Sequence, residues 1–255
     1  MESFSKRGAL SSAFNILKNH FWRIFGFVLL MNIISFSLQT INEKVEMPIL
    51  FQTIFAIMTS AVGVIINMGF IKFCLDYVDN RQDGFADIYS SYPLFWKYLG
   101  TSILYGLIVT GGLFLLIIPG FIWAYKFYFS QYLVIDKGLS PIAALKESSR
   151  ITNGHKWNLF IFSIIFVGLL FVPTIPFIVM AIAAYYTMIN PFIGMSVSII
   201  IAIVLYVLFI IIFTAFSMLA YTYVYRRLSM MNMPLSVPPI DTESPLNQPE
   251  NPPTL

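Results

Sequence analysis

One lysine stands in an apolar stretch that is otherwise uncharged, LFLLIIPGFIWAYKFYF at residues 113–129. If this stretch is helical, Lys126 lies about 9 Å beyond Pro119-Gly120 and about 15 Å before Asp136, near the middle of a membrane. An ionised lysine at that depth costs about 3 kcal/mol unless it is paired or hydrated. Lys126 therefore predicts one of two things. The first is an anion site, for a phosphate headgroup, a substrate carboxylate or a proton relay. The second is a side chain whose flexible stem carries the ammonium to the membrane surface.

Asn32, Gln52 and Asn67 are strongly polar side chains inside other apolar stretches. All three have the chemistry to line a polar ligand cavity together with Lys126, and Asn32 and Asn67 are the ones selected with it as ligand-binding residues. Alternatively, such side chains hydrogen-bond neighbouring helices within a membrane and stabilise their packing.

The sequence lacks the motifs typical of enzymes and metal centres. His20 and His155 lie in separate segments without acidic partners at ligand spacing, and Cys74 is the only cysteine. P-loop, nucleophile-elbow, zinc-protease and dinucleotide-binding motifs are all absent. We therefore expect a protein that is not an enzyme and that needs no metal and no cofactor, and nucleic acid is not an expected partner.

Composition and apolar runs predict the elements that position these residues. Hydrophobic residues make up 58% of the chain and charged residues 11%, whereas soluble domains average about 25% charged residues. Residues 98–125 and 157–225 contain no charged residue. The sequence predicts an all-α membrane protein with six transmembrane helices, near 24–41, 48–71, 98–118, 120–135, 158–181 and 193–225.

Pro119 and Gly120 are predicted to form a hairpin turn at the outer face. Without a turn, residues 98–135 would make one helix of about 57 Å against a hydrocarbon core of about 30 Å. With the turn and a cytoplasmic N-terminus, every lysine and arginine except Lys44 belongs to a cytoplasmic segment or the helix leading to it, as the positive-inside rule predicts. Both termini are therefore expected in the cytoplasm.

Prolines at 173, 176 and 191 interrupt the uncharged run 157–225. Two spans joined by an irregular, partly interfacial stretch around 173–192 are favoured over three spans. Three spans would place Arg226 and Arg227 outside the cell, against the positive-inside rule.

A tryptophan begins each predicted outbound helix. Trp22, Trp96 and Trp157 lie in the similar stretches NHFWRIFGFVLL, PLFWKYLGTSIL and GHKWNLFIFSII, and each is expected to anchor at the membrane interface. An amphipathic stretch precedes each tryptophan. The apolar stripe of the first consists of Leu10, Phe14, Leu17 and Phe21.

These repeats predict three helical hairpins, each preceded by a cytoplasmic interfacial helix. The alternative is that the cytoplasmic loops acquired such helices independently. Residues 1–23 then form the first interfacial helix, and residues 24–228 the six-helix membrane domain. Residues 229–255 form a proline-rich cytoplasmic tail that is expected to be disordered, because it holds too little apolar surface to offset its ordering entropy.

Residues 111–160 also contain a specific set of motifs: Ile118-Pro119-Gly120, Lys126-Phe127, Asp136, Ser140 with Ala144-Leu145, and Gly154-His155-Lys156-Trp157. With them the chain resembles a widespread bacterial family of multi-pass integral-membrane proteins of unknown function. That family is related to the membrane domain of some glycerophosphoryl diester phosphodiesterases. The chain departs from the family where Lys126 stands in place of a common arginine, and in the segment after Phe171. The resemblance implies a multi-pass protein of the bacterial cell (inner) membrane and brings no established activity.

The expected function is recognition or organisation of membrane lipids at the inner leaflet, with basic interfacial segments binding anionic headgroups. A small transporter or channel is the first alternative, with Lys126, Asn32 and Asn67 lining its path. The second alternative is a membrane assembly partner that binds another protein through the tail.

Overall fold

The computed structural model describes residues 5–44, 48–81, 92–187 and 193–232. The regular elements in these residues are α1 Lys6–Asn19, α2 Phe21–Lys44, α3 Ile49–Val78, α4 Phe95–Leu115, α5 Ile117–Phe127, α6 Ser130–Lys137, α7 Pro141–Ile151, α8 Lys156–Thr187 and α9 Ile193–Met231. The prediction of an all-α chain is confirmed for this part of the protein. The amphipathic helix predicted before Trp96 falls almost wholly outside the described residues. Most of the predicted tail, 229–255, also lies outside them, but its predicted start is wrong, because residues 229–231 end α9 and Ser229 is buried.

Helix α1 packs against α9, and two of its buried side chains are alanines. Ala9, Ala13 and Leu17 are buried, whereas Phe14 is 59% exposed and Leu10 is only partly buried. Alanines one turn apart allow two helix backbones to approach closely. Leu17 is the buried member of the predicted stripe, and Phe14 is left exposed, as a side chain that faces lipid from an interfacial helix would be, so the interfacial placement of α1 stays a prediction.

The chain reverses at Leu116, between α4 and α5. Leu116 has φ −162° and ψ 138°, so one extended residue separates the two helices. The reversal thus comes before Pro119 and Gly120, which were predicted to form it; both lie in the first turn of α5, where a proline is tolerated because its missing N–H has no helix partner. A Cβ on Gly120 would lie 2.6 Å from Cδ2 of Leu113 and 2.8 Å from its backbone nitrogen. Glycine thus lets α5 return close beside α4.

Hydrogen bonds along α4 indicate that α5 and α6 run back beside it. The Tyr105 hydroxyl donates to the Ala124 carbonyl (3.3 Å), and the Tyr98 hydroxyl donates to Oε1 of Gln131 (3.1 Å). Nζ of Lys97 donates to the Gly138 carbonyl (2.9 Å). Residues nearer the start of α4 thus have hydrogen-bond partners nearer the end of α6. Helices α5 and α6 therefore form the return arm of one helical pair.

Buried side chains are concentrated at one end of the bundle, where α2, α4 and α8 begin and α3 and α9 end. Helices α1, α6 and α7 pack into this end. The other end carries many large exposed apolar side chains, for example among residues 30–36, 49–58 and 203–207. An apolar surface of this extent is typical of helices that face lipid.

By length and composition, four helical segments of the described residues can cross a membrane: Phe21–Thr40, Ile49–Val78, Tyr92–Leu115 and Ile203–Met231. Helix α7 and the first part of α8, Lys156–Phe171, are bent by 93° relative to each other and would give a fifth as one broken span. These apolar helices indicate a membrane-embedded protein.

Helix α8 runs unbroken from Lys156 to Thr187, although its prolines predict an irregular stretch over 173–192. The hydroxyl of Thr174 donates a hydrogen bond to the carbonyl of Phe171 at 2.6 Å. The prediction of an irregular stretch is therefore wrong for residues 173–187, and residues 188–192 lie outside the described part of the chain.

Candidate functional site

Lys126 lies in the last turn of α5, where its backbone makes two contacts with another part of the chain. Its carbonyl oxygen accepts hydrogen bonds from the hydroxyls of Ser148 (3.1 Å) and Thr152 (3.0 Å). Its Nζ lies 5.1 Å from the centre of the Phe127 ring. Among the described residues, no carboxylate oxygen lies within 4.0 Å of this ammonium. The acidic partner that would neutralise an intramembrane lysine is thus not found in the described structure.

The break between α5 and α6 explains the two hydroxyls. Helix α5 ends at Phe127 and α6 begins at Ser130, so backbone groups between them lose their helical partners. Oγ of Ser148 accepts a hydrogen bond from the backbone N–H of Phe129 (3.2 Å) and donates one to the carbonyl of Lys126. Both Ser148 and Thr152 are fully buried. The backbone of Lys126 therefore belongs to a joint that fixes α7 against α5 and α6.

Asn32 and Asn67 line a cavity of about 370 Å³ between α2, α3 and α9. We call it the asparagine cavity, and its remaining lining is Val28, Met31, Ser35, Ile66, Phe70, Thr214 and Met218. Lys126 does not line it. The structure thus brings together two of the three predicted ligand-binding residues and places the third against α7.

A second cavity of about 400 Å³ forms a cleft between α5 and the beginning of α8. We call it the α5–α8 cleft, and it is lined by Ile118, Phe121, Ile122, Tyr125, Lys156, Trp157 and Phe160. The surface of the cleft is wholly apolar, so Lys156 lines it with its aliphatic stem and Trp157 with its ring carbons, while the rings of Tyr125 and Phe160 lie 5.8 Å apart edge to face. A cation and an indole beside an apolar groove are groups suited to a lipid with an anionic headgroup.

Sequence reasoning did not select Lys156 as a site residue. It stands in the Gly-His-Lys-Trp motif, but the pattern around it indicates only the start of an outbound helix. The signal that would have found it is the proximity of α5, which depends on the α7 joint and is not visible in a local pattern. Lys126 immediately follows the cleft-lining residue Tyr125, although Lys126 itself does not line the cleft.

An ion network joins α3, α6 and α9 at the packed end of the bundle. Arg226 donates hydrogen bonds through Nη1 to Oδ2 of Asp136 at 2.7 Å and through Nη2 to Oδ2 of Asp79 at 2.5 Å. The hydroxyl of Tyr225 donates to the same oxygen of Asp136 at 2.6 Å. The side chains of the three charged residues are only 14–16% exposed. Removing one member would therefore leave a poorly hydrated charge.

Helix α7 carries a second, more exposed group of charges. Nε and Nη2 of Arg150 each donate to the carboxylate of Glu147 at 2.7 Å, and these bonds hold the pKa of Glu147 below its ordinary value. Nη1 of Arg150 also donates to the backbone carbonyl of Asn232 at 2.9 Å. Nδ2 of Asn232 donates to the carbonyl of Ile151 at 3.3 Å. Helix α7 thus binds the point from which the C-terminal tail continues.

The three tryptophans predicted as interface anchors occupy equivalent places. Trp22, Trp96 and Trp157 are each the second residue of a helix, α2, α4 and α8 respectively. Their side chains are 80%, 77% and 70% exposed. Interfacial anchoring by these exposed indoles stays a prediction.

These features define a class: a membrane-embedded protein that is helical throughout its described regular elements, with a packed polar end and surface cavities that include the asparagine cavity and the α5–α8 cleft. The chain belongs to the family described as Domain of unknown function (DUF7847), whose model matches residues 94–228. The match begins just before α4 and ends near the end of α9, so it includes Lys126 and the α5–α8 cleft but not Asn32 or Asn67. It provides no link to the glycerophosphoryl diester phosphodiesterases. No curated protein and no solved structure matches the chain.

Proposed function

We propose that the protein recognises anionic membrane lipids at the inner leaflet of a bacterial cell membrane, without catalysing a reaction. The observation that carries this proposal is the α5–α8 cleft, which combines a lysine, a tryptophan and an apolar groove. In this proposal the ammonium of Lys156, which lies outside the apolar lining, binds the phosphate, and the Trp157 ring packs beside the headgroup. Apolar side chains of α5 offer a wall for an acyl chain.

The charge, more than the groove, decides which lipid binds. An acyl chain that enters the groove leaves one apolar environment for another, so the chain alone adds little affinity. A lysine near anionic lipid contributes about 1 kcal/mol, which corresponds to roughly a fivefold preference over a neutral lipid. We include Lys126 in the proposal as a second cation for the same headgroup, because its flexible stem starts one residue after Tyr125 of the cleft.

We also propose the finer topology: six crossings in three hairpins, each preceded by an interfacial helix, with both termini in the cytoplasm. Helix α5 has 11 residues and is too short to cross alone, but α5 and α6 together follow α4 back over about 30 Å. The first hairpin would be α2 with α3, and the third α8 with α9. A relationship to the membrane domain of glycerophosphoryl diester phosphodiesterases, which the motifs of residues 118–157 suggest, is part of this proposal.

Lipid mass spectrometry on the detergent-purified full-length protein tests the cleft. Wild type is compared with Lys156→Gln, Lys126→Leu and the control Lys18→Gln, at matched folding and yield. Lys18 is exposed on α1 and does not line the cleft, so its replacement removes one charge without altering the site. We expect an anionic lipid that is enriched in wild type and Lys18→Gln and lost in Lys156→Gln.

Equal lipid profiles in all four proteins would refute a lipid site in the cleft. The Lys126→Leu result answers a separate question. Loss of the anionic lipid in this variant makes Lys126 a member of the site, and retention assigns it to a side chain that extends towards the membrane surface.

A small transporter or channel is the second candidate function, because Asn32 and Asn67 share a polar cavity within apolar helices. Its support is weaker for a path that also includes Lys126, since Lys126 lies outside the lining of that cavity. The third candidate, an assembly partner acting through the tail, is favoured by the hydrogen bonds that fix Asn232 to α7. Deleting residues 233–255 and searching for lost co-purifying proteins tests it.

A further inference from the structure

We propose that the asparagine cavity is a second lipid site, specific for a neutral lipid with a hydroxyl-bearing headgroup, such as a diacylglycerol. The proposal concerns α2, α3 and α9 and is independent of the anionic lipid proposed for the α5–α8 cleft. It starts from Asn32, Ser35, Asn67 and Thr214, four uncharged polar side chains that line one cavity.

These side chains lie about halfway along apolar helices. Asn32 follows the interfacial Trp22 by about 15 Å of helix, and Asn67 precedes the end of α3 by about 16 Å. Thr214 precedes Arg226 of the ion network by about 18 Å. The rings of Phe27 and Phe73, one turn or more closer to the packed end, stack at 4.3 Å and hold α2 and α3 in register. All three polar residues therefore reach the same cavity near the middle of a hydrocarbon core of about 30 Å.

Helix-to-helix hydrogen bonding does not account for them. Nδ2 of Asn32 donates to the carbonyl of Val28 in its own helix at 2.8 Å, and the Thr214 hydroxyl donates to Ile210 of its own helix at 2.8 Å. Within the described residues, the side chains of Asn67 and Ser35 make no hydrogen bond. Polar groups left without partners in hydrocarbon are costly. Because no bond joins these side chains across helices in the described residues, their polar groups are available to a ligand in the cavity.

The lining also decides the class of ligand. It contains no charged side chain, so an ionic headgroup in the cavity would be left without a counter-charge in a medium of low dielectric constant. Amide and hydroxyl groups instead match a ligand that both donates and accepts hydrogen bonds, as a lipid hydroxyl does. Met31 and Met218 add flexible apolar walls for the attached chains. Asn32 and Asn67 are exposed at the protein surface, so such a lipid can enter sideways from the bilayer.

Photo-crosslinking in liposomes tests the site with defined probes. The full-length protein is reconstituted with a photoreactive diacylglycerol, or with a photoreactive phosphatidic acid that carries the same chains. We expect the diacylglycerol to label wild-type peptides of α2, α3 and α9 around the cavity. The double variant Asn32→Leu, Asn67→Leu should reduce that labelling about tenfold. The matched control is Gln52→Leu, an exposed polar residue of α3 outside the cavity, and it should label like wild type.

Diacylglycerol labels spread evenly over lipid-facing peptides of the wild type overturn the proposal, and this result needs no variant to fold. Equal labelling of the double variant and Gln52→Leu overturns it as well. The two lipid proposals are separable in the same experiment. Lys156→Gln should lower labelling by phosphatidic acid at the cleft and leave diacylglycerol labelling at the asparagine cavity unchanged.

Discussion

Replacing Arg226 by methionine removes the cation that joins three helices. The methionine retains the apolar stem of the arginine but donates nothing to Asp79 or Asp136, the acidic partners on α3 and α6. Tyr225 still donates to Asp136, so one carboxylate retains a neutral partner. Asp79 then keeps only the exposed Arg81, whose Nη2 lies 3.7 Å from its Oδ2, and Asp136 has no cation among the described residues, although both carboxylates are only 14–16% exposed.

The structure allows the cost to be estimated. Removing one partner of a buried ion pair destabilises a protein by about 3–5 kcal/mol, because the remaining charge stays desolvated. Residual exposure of these side chains lets water offset part of that loss, so we expect about 2–4 kcal/mol. In a chain of this length each 1 kcal/mol lowers Tm by about 2–4 °C, and the expected loss is therefore on the order of 5–15 °C.

Thermal unfolding in detergent, followed by tryptophan fluorescence, measures this loss against Arg227→Met. Arg227 is the adjacent residue and is exposed, so its replacement controls for one lost charge on the same helix. The Tm of Arg226→Lys should lie between those of wild type and Arg226→Met, because one ammonium cannot reproduce the bidentate hydrogen bonding of a guanidinium. The triple variant Asp79→Asn, Asp136→Asn, Arg226→Met should recover stability because no buried charge remains unpaired. If Arg226→Met and Arg227→Met have the same Tm, the network does not stabilise the fold and the reasoning is wrong.

Two further predictions concern packing at the joint and the reversal. Gly120→Ala should destabilise the protein by about 1–3 kcal/mol through overpacking against Leu113, whereas Gly106→Ala, with no atom within 4 Å of the new Cβ, should be neutral or slightly stabilising. Equal Tm values for the two variants would contradict the close return of α5 beside α4. Ser148→Ala should cost about 1–3 kcal/mol, because it leaves the buried N–H of Phe129 without its acceptor. Ser149→Ala, half-buried on the same helix, is the control, and an equal loss there would exclude a specific role for the Ser148 hydroxyl.

The class of fold follows from the sequence because its signal is local. Long uncharged apolar runs predict helices of membrane length, and the runs around 24–41, 48–71 and 98–118 fall within α2, α3 and the α4 to α5 region. The position of each tryptophan at the start of a helix is likewise a local pattern. Pro119 and Gly120 indicate a reversal to within a few residues of Leu116, because α5 can return beside α4 only if it begins with residues as permissive as these.

The contacts that build the candidate sites are not local, and this limits the prediction from sequence. Asp79 and Arg226 are 147 residues apart, and either could have been an exposed charge at the end of a helix. Lys156 reaches the cleft only because Ser148 and Thr152 fix α7 against the α5–α6 break. For a similar reason the sequence did not predict with which helix each asparagine would share a cavity. The hydropathy of a span does not determine which of its faces meets a neighbour.

The distribution of the two proposed lipid sites along the chain suggests how they are related. The family match covers α4 to α9, which include every residue that lines the α5–α8 cleft. The asparagine cavity instead needs α2 and α3, which precede the match, together with α9, which lies inside it. Asp79, at the end of α3, binds Arg226 of α9 on the packed side of that cavity. The ion network therefore joins the preceding helices to the family region, and weakening it should loosen the asparagine cavity more than the cleft. Arg226→Lys should accordingly lower diacylglycerol labelling and leave phosphatidic acid labelling near wild type. If phosphatidic acid labelling falls and diacylglycerol labelling stays near wild type, the ion network stabilises the cleft rather than the asparagine cavity.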